Sequence, residues 1–99
     1  MSVSRFSDLR GWQRADVFET AILKLCAEGP LSMDLHLRQQ LETAATGPPA
    51  HLAEGFGRFS PADFARFAVI ARASLMESQT HLRTALKKGY ISESTRLEH

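Results

Sequence analysis

Ninety-nine residues, 43% hydrophobic and 23% charged, suit one globular domain that can bury roughly two-thirds of the surface its unfolded chain exposes. Twelve basic side chains against eleven acidic ones leave a net charge of +1, which supplies no broad pull on nucleic-acid backbones or anionic lipid. Cys26 is the only cysteine, so an intrachain disulfide is excluded, and no apolar run approaches the roughly 18 residues of a membrane span. The opening Met1-Ser-Val-Ser-Arg5 lacks the apolar segment of a secretion signal, so a cytoplasmic protein without membrane contact is expected. Leu97-Glu98-His99 reads as the beginning of an affinity tag, which places the domain at 1–96.

No alternating run of β-branched residues reads as a strand, and the expected class is all-α: three long helices in an antiparallel bundle. The first is expected over about 8–28, with Trp12, Ala15, Phe18, Ile22, Leu25 and Cys26 on one stripe and Gly29-Pro30 as the stop. The second is expected over 33–57. Ser32 or Asp34 caps it, and Leu37, Leu41, Ala44 and Ala45 form its apolar face. Gly47-Pro48-Pro49 then removes two amide donors and crowds the preceding turn, so a kink or break is expected at 47–49. Gly55-Phe56-Gly57 reads as a turn between helices.

The third helix is expected over 61–88, from the capping Ser60-Pro61-Ala62-Asp63 to the stop Lys87-Lys88-Gly89. Phe64, Phe67, Ala68, Ala71, Leu75, Leu82, Ala85 and Leu86 fall on its core arc. A second arc carries Ala65, Val69, Ala73 and Met76 with Arg72 and Arg83. Either it is ordinary solvated surface or it packs against another helix or subunit, and Val69 and Met76 favour packing.

The search for chemistry returns little. Glu77 with His81 and His51 with Glu54 stand one helical turn apart, but neither repeats the paired spacing of a di-iron bundle, so no metal and no cofactor are expected. Cys26 sits on an apolar stripe with no basic cluster to activate it. No pair of titratable residues suggests acid–base work, and no enzyme is expected. Glu54 and Arg58 flank the expected turn and read as a partly buried pair tying helix two to helix three, with a ligand or RNA contact through Arg58 as the alternative. Arg66, Arg72, Arg83, Lys87 and Lys88 could follow a phosphate backbone, although a solvated face accounts for them more simply.

Several stretches together resemble the four-helix-bundle family of 23S ribosomal RNA intervening-sequence proteins. Phe6-Ser-Asp-Leu-Arg-Gly-Trp12-Gln13-Arg-Ala15 is similar to the family's opening motif, and Leu37-Arg-Gln-Gln40-Leu41 to the start of its second helix. Ala50-His51-Leu52-Ala53-Glu54-Gly55-Phe56-Gly57-Arg58 resembles its Asn-Ile-Ala-Glu-Gly and Gly-Arg stretch, with His51 in place of asparagine. The stretches 63–67, 70–82 and Gly89-Tyr90-Ile91 complete the series. The resemblance implies a non-enzymatic bundle in which Trp12, Gln40, Glu54, Gly55 and Arg58 are structural. It also implies a homo-oligomer, a ring-like pentamer by the family's habit, and the second arc of the third helix, read from its pattern, places Ala65, Val69, Ala73 and Met76 at the expected interface. A related accessory protein of diversity-generating retroelements works with a reverse transcriptase and RNA, so RNA or a nucleic-acid-processing protein is the implied partner. The alternative is a purely structural or protein-interaction module. Members of the family continue into a fourth helix, and here Ile91 to Arg96 allow only a short or missing one.

Overall fold

The computed structural model describes residues 5–99. The segment Met1–Ser4, on which the absence of a secretion signal was read, lies outside the described residues. Helix α1 spans Arg10–Cys26, α2 Leu35–Gly57, α3 Pro61–Lys87 and the short α4 Glu93–Glu98. Among the described residues there is no strand. Helix α2 is central, packing along α1 on one side and more extensively along α3 on the other, while α1 and α3 make little direct contact.

The capping chemistry works as the side chains require. Before α1 a 3₁₀ turn over Phe6–Asp8 is tied down by Gln13, whose Nε2 donates to the Ser7 carbonyl at 3.0 Å, and by Phe6 edge-on to Trp12 at 5.2 Å between ring centroids. After Gly29, whose φ of 65° suits only glycine readily, a second 3₁₀ turn over Pro30–Met33 buries Leu31. Asp34, rather than Ser32, caps α2 by accepting from the Leu37 amide at 3.2 Å. Ser60 caps α3 by accepting from the Asp63 amide at 3.3 Å, with Pro61 at the first helical position.

The Gly47-Pro48-Pro49 segment does not break α2, which is helical throughout. In an α-helix the Ala44 carbonyl would accept the amide of residue 48, and proline has none. Ser74 of α3 supplies the missing donor: its Oγ reaches the Ala44 carbonyl at 2.8 Å. Gly47 makes room for it, since a Cβ there would stand 2.7 Å from the Ser74 Oγ. Gly55 serves the same end further along, because a Cβ there would meet the Phe67 Cβ at 2.7 Å. The Gly55-Phe56-Gly57 turn is therefore a correction. These residues are the last turn of α2, in which Gly55 allows the close helix packing, and the reversal falls at Arg58 and Phe59, where Phe59 takes a φ of 54°.

The core gathers at one end of the bundle, where Ile22 and Cys26 of α1, Leu37, Leu41 and Ala45 of α2, and Leu82 and Ala85 of α3 surround Leu31. Tyr90 and Ile91 close over it. The Asp34 carboxylate latches that end: Oδ2 accepts from the Lys88 Nζ at 2.9 Å and from the Tyr90 hydroxyl at 3.0 Å, so the N-terminus of α2 is joined to the C-terminus of α3. Burial, with the Glu42 carboxylate adding to it, pushes the Cys26 thiol up to about 11, so it behaves as a core hydrophobe. α4 turns back along α3, where the Gln79 Nε2 donates to the His99 carbonyl at 3.3 Å.

Ser74→Ala should lower stability by about 1–2 kcal/mol by orphaning the Ala44 carbonyl. In a Pro48→Ala background, which restores the amide, the same change should cost much less. Thermal melts of the four proteins test this, and an equal loss in both backgrounds would show the hydroxyl to be idle. The Asp34 carboxyl is held down at about 2, chiefly by the Lys88 hydrogen bond, then by the Leu37 amide and Tyr90. Its folded value lies below its unfolded one, about 4, so its stabilisation is full above pH 4 and is lost as the pH falls toward 2. Melting temperature measured against pH should show this acid limb in the native chain and a flatter one in Asp34→Asn.

Candidate functional site

Two surfaces of α3 stand out, and they adjoin. The first is its outer face. Val69 is 68% exposed and Met76 58%, with Ala65 and Ala73 exposed beside them. At 100° per residue, Ala65, Val69, Arg72, Met76 and Arg83 fall within about 60° of one another. Arg72 and Arg83 are exposed on this face and make no ion pair among the described residues.

The five expected cations do not act as one set. Lys88 belongs to the Asp34 latch, and its charged form is favoured by that carboxylate. Arg66 lies 3.8 Å from the Asp63 carboxylate and its guanidinium covers the Phe67 ring at 4.7 Å. Lys87 is exposed at the end of α3. Arg72, Arg83 and Lys87 are thus the three without an ion pair among the described residues.

The second surface is a groove between α1 and α3 at the end of the bundle away from Tyr90. Ala15 and Phe18 form one wall, Ala68, Ala71 and Leu75 the other, and Leu52 of α2 the floor, enclosing about 350 Å³. It exists because α1 and α3 each pack on α2 and scarcely on each other. Arg14 and Arg72 stand one on each wall. Sequence reasoning placed Phe18, Ala68 and Leu75 in the core and passed over Arg14. The half-buried state of Phe18, Ala68 and Leu75 is what periodicity does not reveal.

The structural motif residues divide by role. Trp12 anchors the N-terminal turn against Phe6, and Gln40 is exposed beside a cleft shared with His36, Thr43 and Glu77. Glu54 and Arg58 form an ion pair at 3.3 Å, but it lies along the end of α2 and its side chains are 53% and 48% exposed. That corrects the expectation of a partly buried tie between helices. The link to α3 comes from the Arg58 guanidinium alone, which sits 5.3 Å from the centroid of the Phe67 ring. Among the described residues no group of three or more His, Cys, Asp or Glu side chains is disposed to hold a metal; His81 and Glu77 approach only to 3.8 Å.

Chain order, short connections and a central α2 define an all-α helical bundle whose distinguishing surfaces are one partly apolar helix face and one open interhelical groove. The family model for the 23S rRNA-intervening sequence protein matches residues 7–98. The chain belongs to that family. Among curated proteins no match is found. No helix among the described residues is long and apolar enough to cross a membrane.

Because the Glu54–Arg58 pair is exposed, Glu54→Ala should change stability by no more than about 0.5 kcal/mol. Arg58→Ala, which also uncovers Phe67, should cost more. Urea unfolding of the two variants checks the order, and equal losses would return the weight to the ion pair.

Proposed function

We propose that this protein is a non-enzymatic cytoplasmic scaffold that assembles with copies of itself through the outer face of α3 and holds RNA or a nucleic-acid-processing protein. The observation that carries the reading is the composition of that face: Val69 and Met76 stand out in water beside Ala65 and Ala73, in a sector shared with Arg72 and Arg83. An apolar strip bordered by guanidinium groups suits an interface core with a polar rim. A closed cyclic assembly is the economical solution for a small chain, and five subunits is the number the family resemblance favours. Arg72, Arg83 and Lys87 would then line the assembly as its phosphate-facing cations.

A second reading, a protein-interaction module without nucleic acid, is favoured by the net charge of +1 and by the engagement of Arg66 and Lys88 with Asp63 and Asp34. Salt separates the two. RNA held by these cations should be released steeply as salt rises, and Arg72→Glu with Arg83→Glu should abolish its binding. Failure to bind RNA even at low salt would favour the second reading. Sedimentation equilibrium tests the assembly: a species well above monomer mass is expected, with Met76→Asp converting it to monomer at unchanged helicity. A native chain that sediments as a monomer at tens of micromolar would overturn it.

A further inference from the structure

The cleft beside Gln40 is lined by His36, Gln39, Gln40 and Thr43 of α2 and Glu77 of α3, with a volume of about 320 Å³. It is not an unfilled helix position, because α2 and α3 are closed on each other along this stretch, where Leu41, Ala44 and Ser78 are buried. The Ala44–Ser74 hydrogen bond fixes one end of the stretch and the Asp34–Lys88 contact the other, about 15 Å apart along α2. The walls are therefore set in place, and α1 contributes nothing to them.

The lining limits what fits. It holds no aliphatic side chain, so an amphipathic helix or a lipid chain would find no apolar surface to bury there. It holds no lysine or arginine, so a phosphate would meet the Glu77 carboxylate without a counter-charge. Neutral donors and acceptors around one carboxylate remain. Among the described residues the side chains of His36, Gln39, Gln40 and Thr43 make no hydrogen bond within the protein. Glu77 approaches His81 only to 3.8 Å, beyond hydrogen-bond reach. Each glutamine amide offers both a donor and an acceptor, whereas an ionised Glu77 only accepts. The matching ligand edge carries an amine beside a ring nitrogen or a carbonyl, as adenine, cytosine and guanine do. Uracil sets a carbonyl on each side of its single ring N–H and would turn one of them toward the Glu77 carboxylate.

We infer that the cleft between α2 and α3 binds an unpaired nucleobase bearing an exocyclic amine and discriminates against uracil. Glu77 accepts from the amine, Gln39 and Gln40 pair with the rest of the base edge, and His36 offers its ring as a stacking face. This assignment rests on the RNA reading proposed above, which supplies the base. Ala73 of the outer α3 face lies one turn before Glu77, so a strand whose phosphates follow Arg83 and Lys87 runs alongside the cleft and turns a base into it. The cations then hold the strand, and the cleft selects the base.

The test titrates the full, isotopically labelled chain with the free nucleosides adenosine, cytidine and uridine, so that no phosphate takes part. Adenosine and cytidine should shift the side-chain amide resonances of Gln39 and Gln40 saturably, with uridine binding at least about fivefold more weakly. Glu77→Gln, which turns an acceptor into a group that also donates, should remove that difference, and Gln40→Ala should weaken adenosine and cytidine. Uridine binding as tightly as the other two, unmoved glutamine amides, or an unchanged order in Glu77→Gln would overturn the inference. Labelled oligoadenylate and oligouridylate of about eight nucleotides, followed by fluorescence anisotropy at low salt, separate its failure from that of the RNA reading. Equal binding of both oligonucleotides with unmoved glutamine amides would leave RNA held by the cations alone and overturn the base site. The expected nucleoside order with neither oligonucleotide bound would uphold the base site and overturn the RNA reading.

Discussion

A single hydroxyl governs how the two longest helices meet. Pro48 withholds an amide from the Ala44 carbonyl, and a long helix whose central carbonyl faces a packed neighbour without a donor is destabilised or bent. Ser74 satisfies that carbonyl from α3, and it can do so only because Gly47 leaves the space. Once that contact is made, the rest of the α2–α3 register follows antiparallel and in step. Gly55 lies under Phe67 at one end, and Asp34 meets Lys88 at the other. The proline pair and the serine are therefore one device, shared between helices.

That device explains what was legible in the sequence and what was not. The boundaries of α3 were readable because their causes are local: Ser60, Pro61 and Asp63 at one end, Lys87 and Gly89 at the other. So was the apolar face that puts Ile22, Leu41 and Leu82 in the core. The span of α2 was readable as well, but whether Gly47-Pro48-Pro49 kinks or breaks it was not, because the donor that rescues Ala44 stands 30 residues away in the chain. Gly55 misled for a related reason. Glycine serves a turn and a close helix crossing equally well, and only the position of Phe67 tells which is required.

The surfaces were legible unevenly. The exposed arc on α3 was readable because Val69 and Met76 interrupt what would otherwise be a polar face. The groove was not, since periodicity reports which side of a helix is apolar and is silent on how many neighbours share it. Phe18 and Leu75 satisfy the pattern of core residues while standing half-open between two helices that lean on a third. Charge reasoning had the same limit. The sequence count of cations on α3 took no account of Lys88 and Arg66 being occupied by Asp34 and Asp63.

The central position of α2 also divides the molecule by how its parts are held. The α2–α3 pair is fastened at both ends and in the middle, whereas α1 rests on α2 and has little hold on α3. Unfastening α1 sacrifices one helix-packing surface and leaves the Ser74 and Asp34 contacts intact. What α1 would expose on leaving is concentrated at its C-terminal end, where Ile22 and Cys26 are fully buried in the core. The α2–α3 hairpin is thus cross-linked by polar contacts along its length, and α1 is held by its apolar stripe. The groove wall that carries Arg14 is therefore positioned by the apolar stripe of α1 alone.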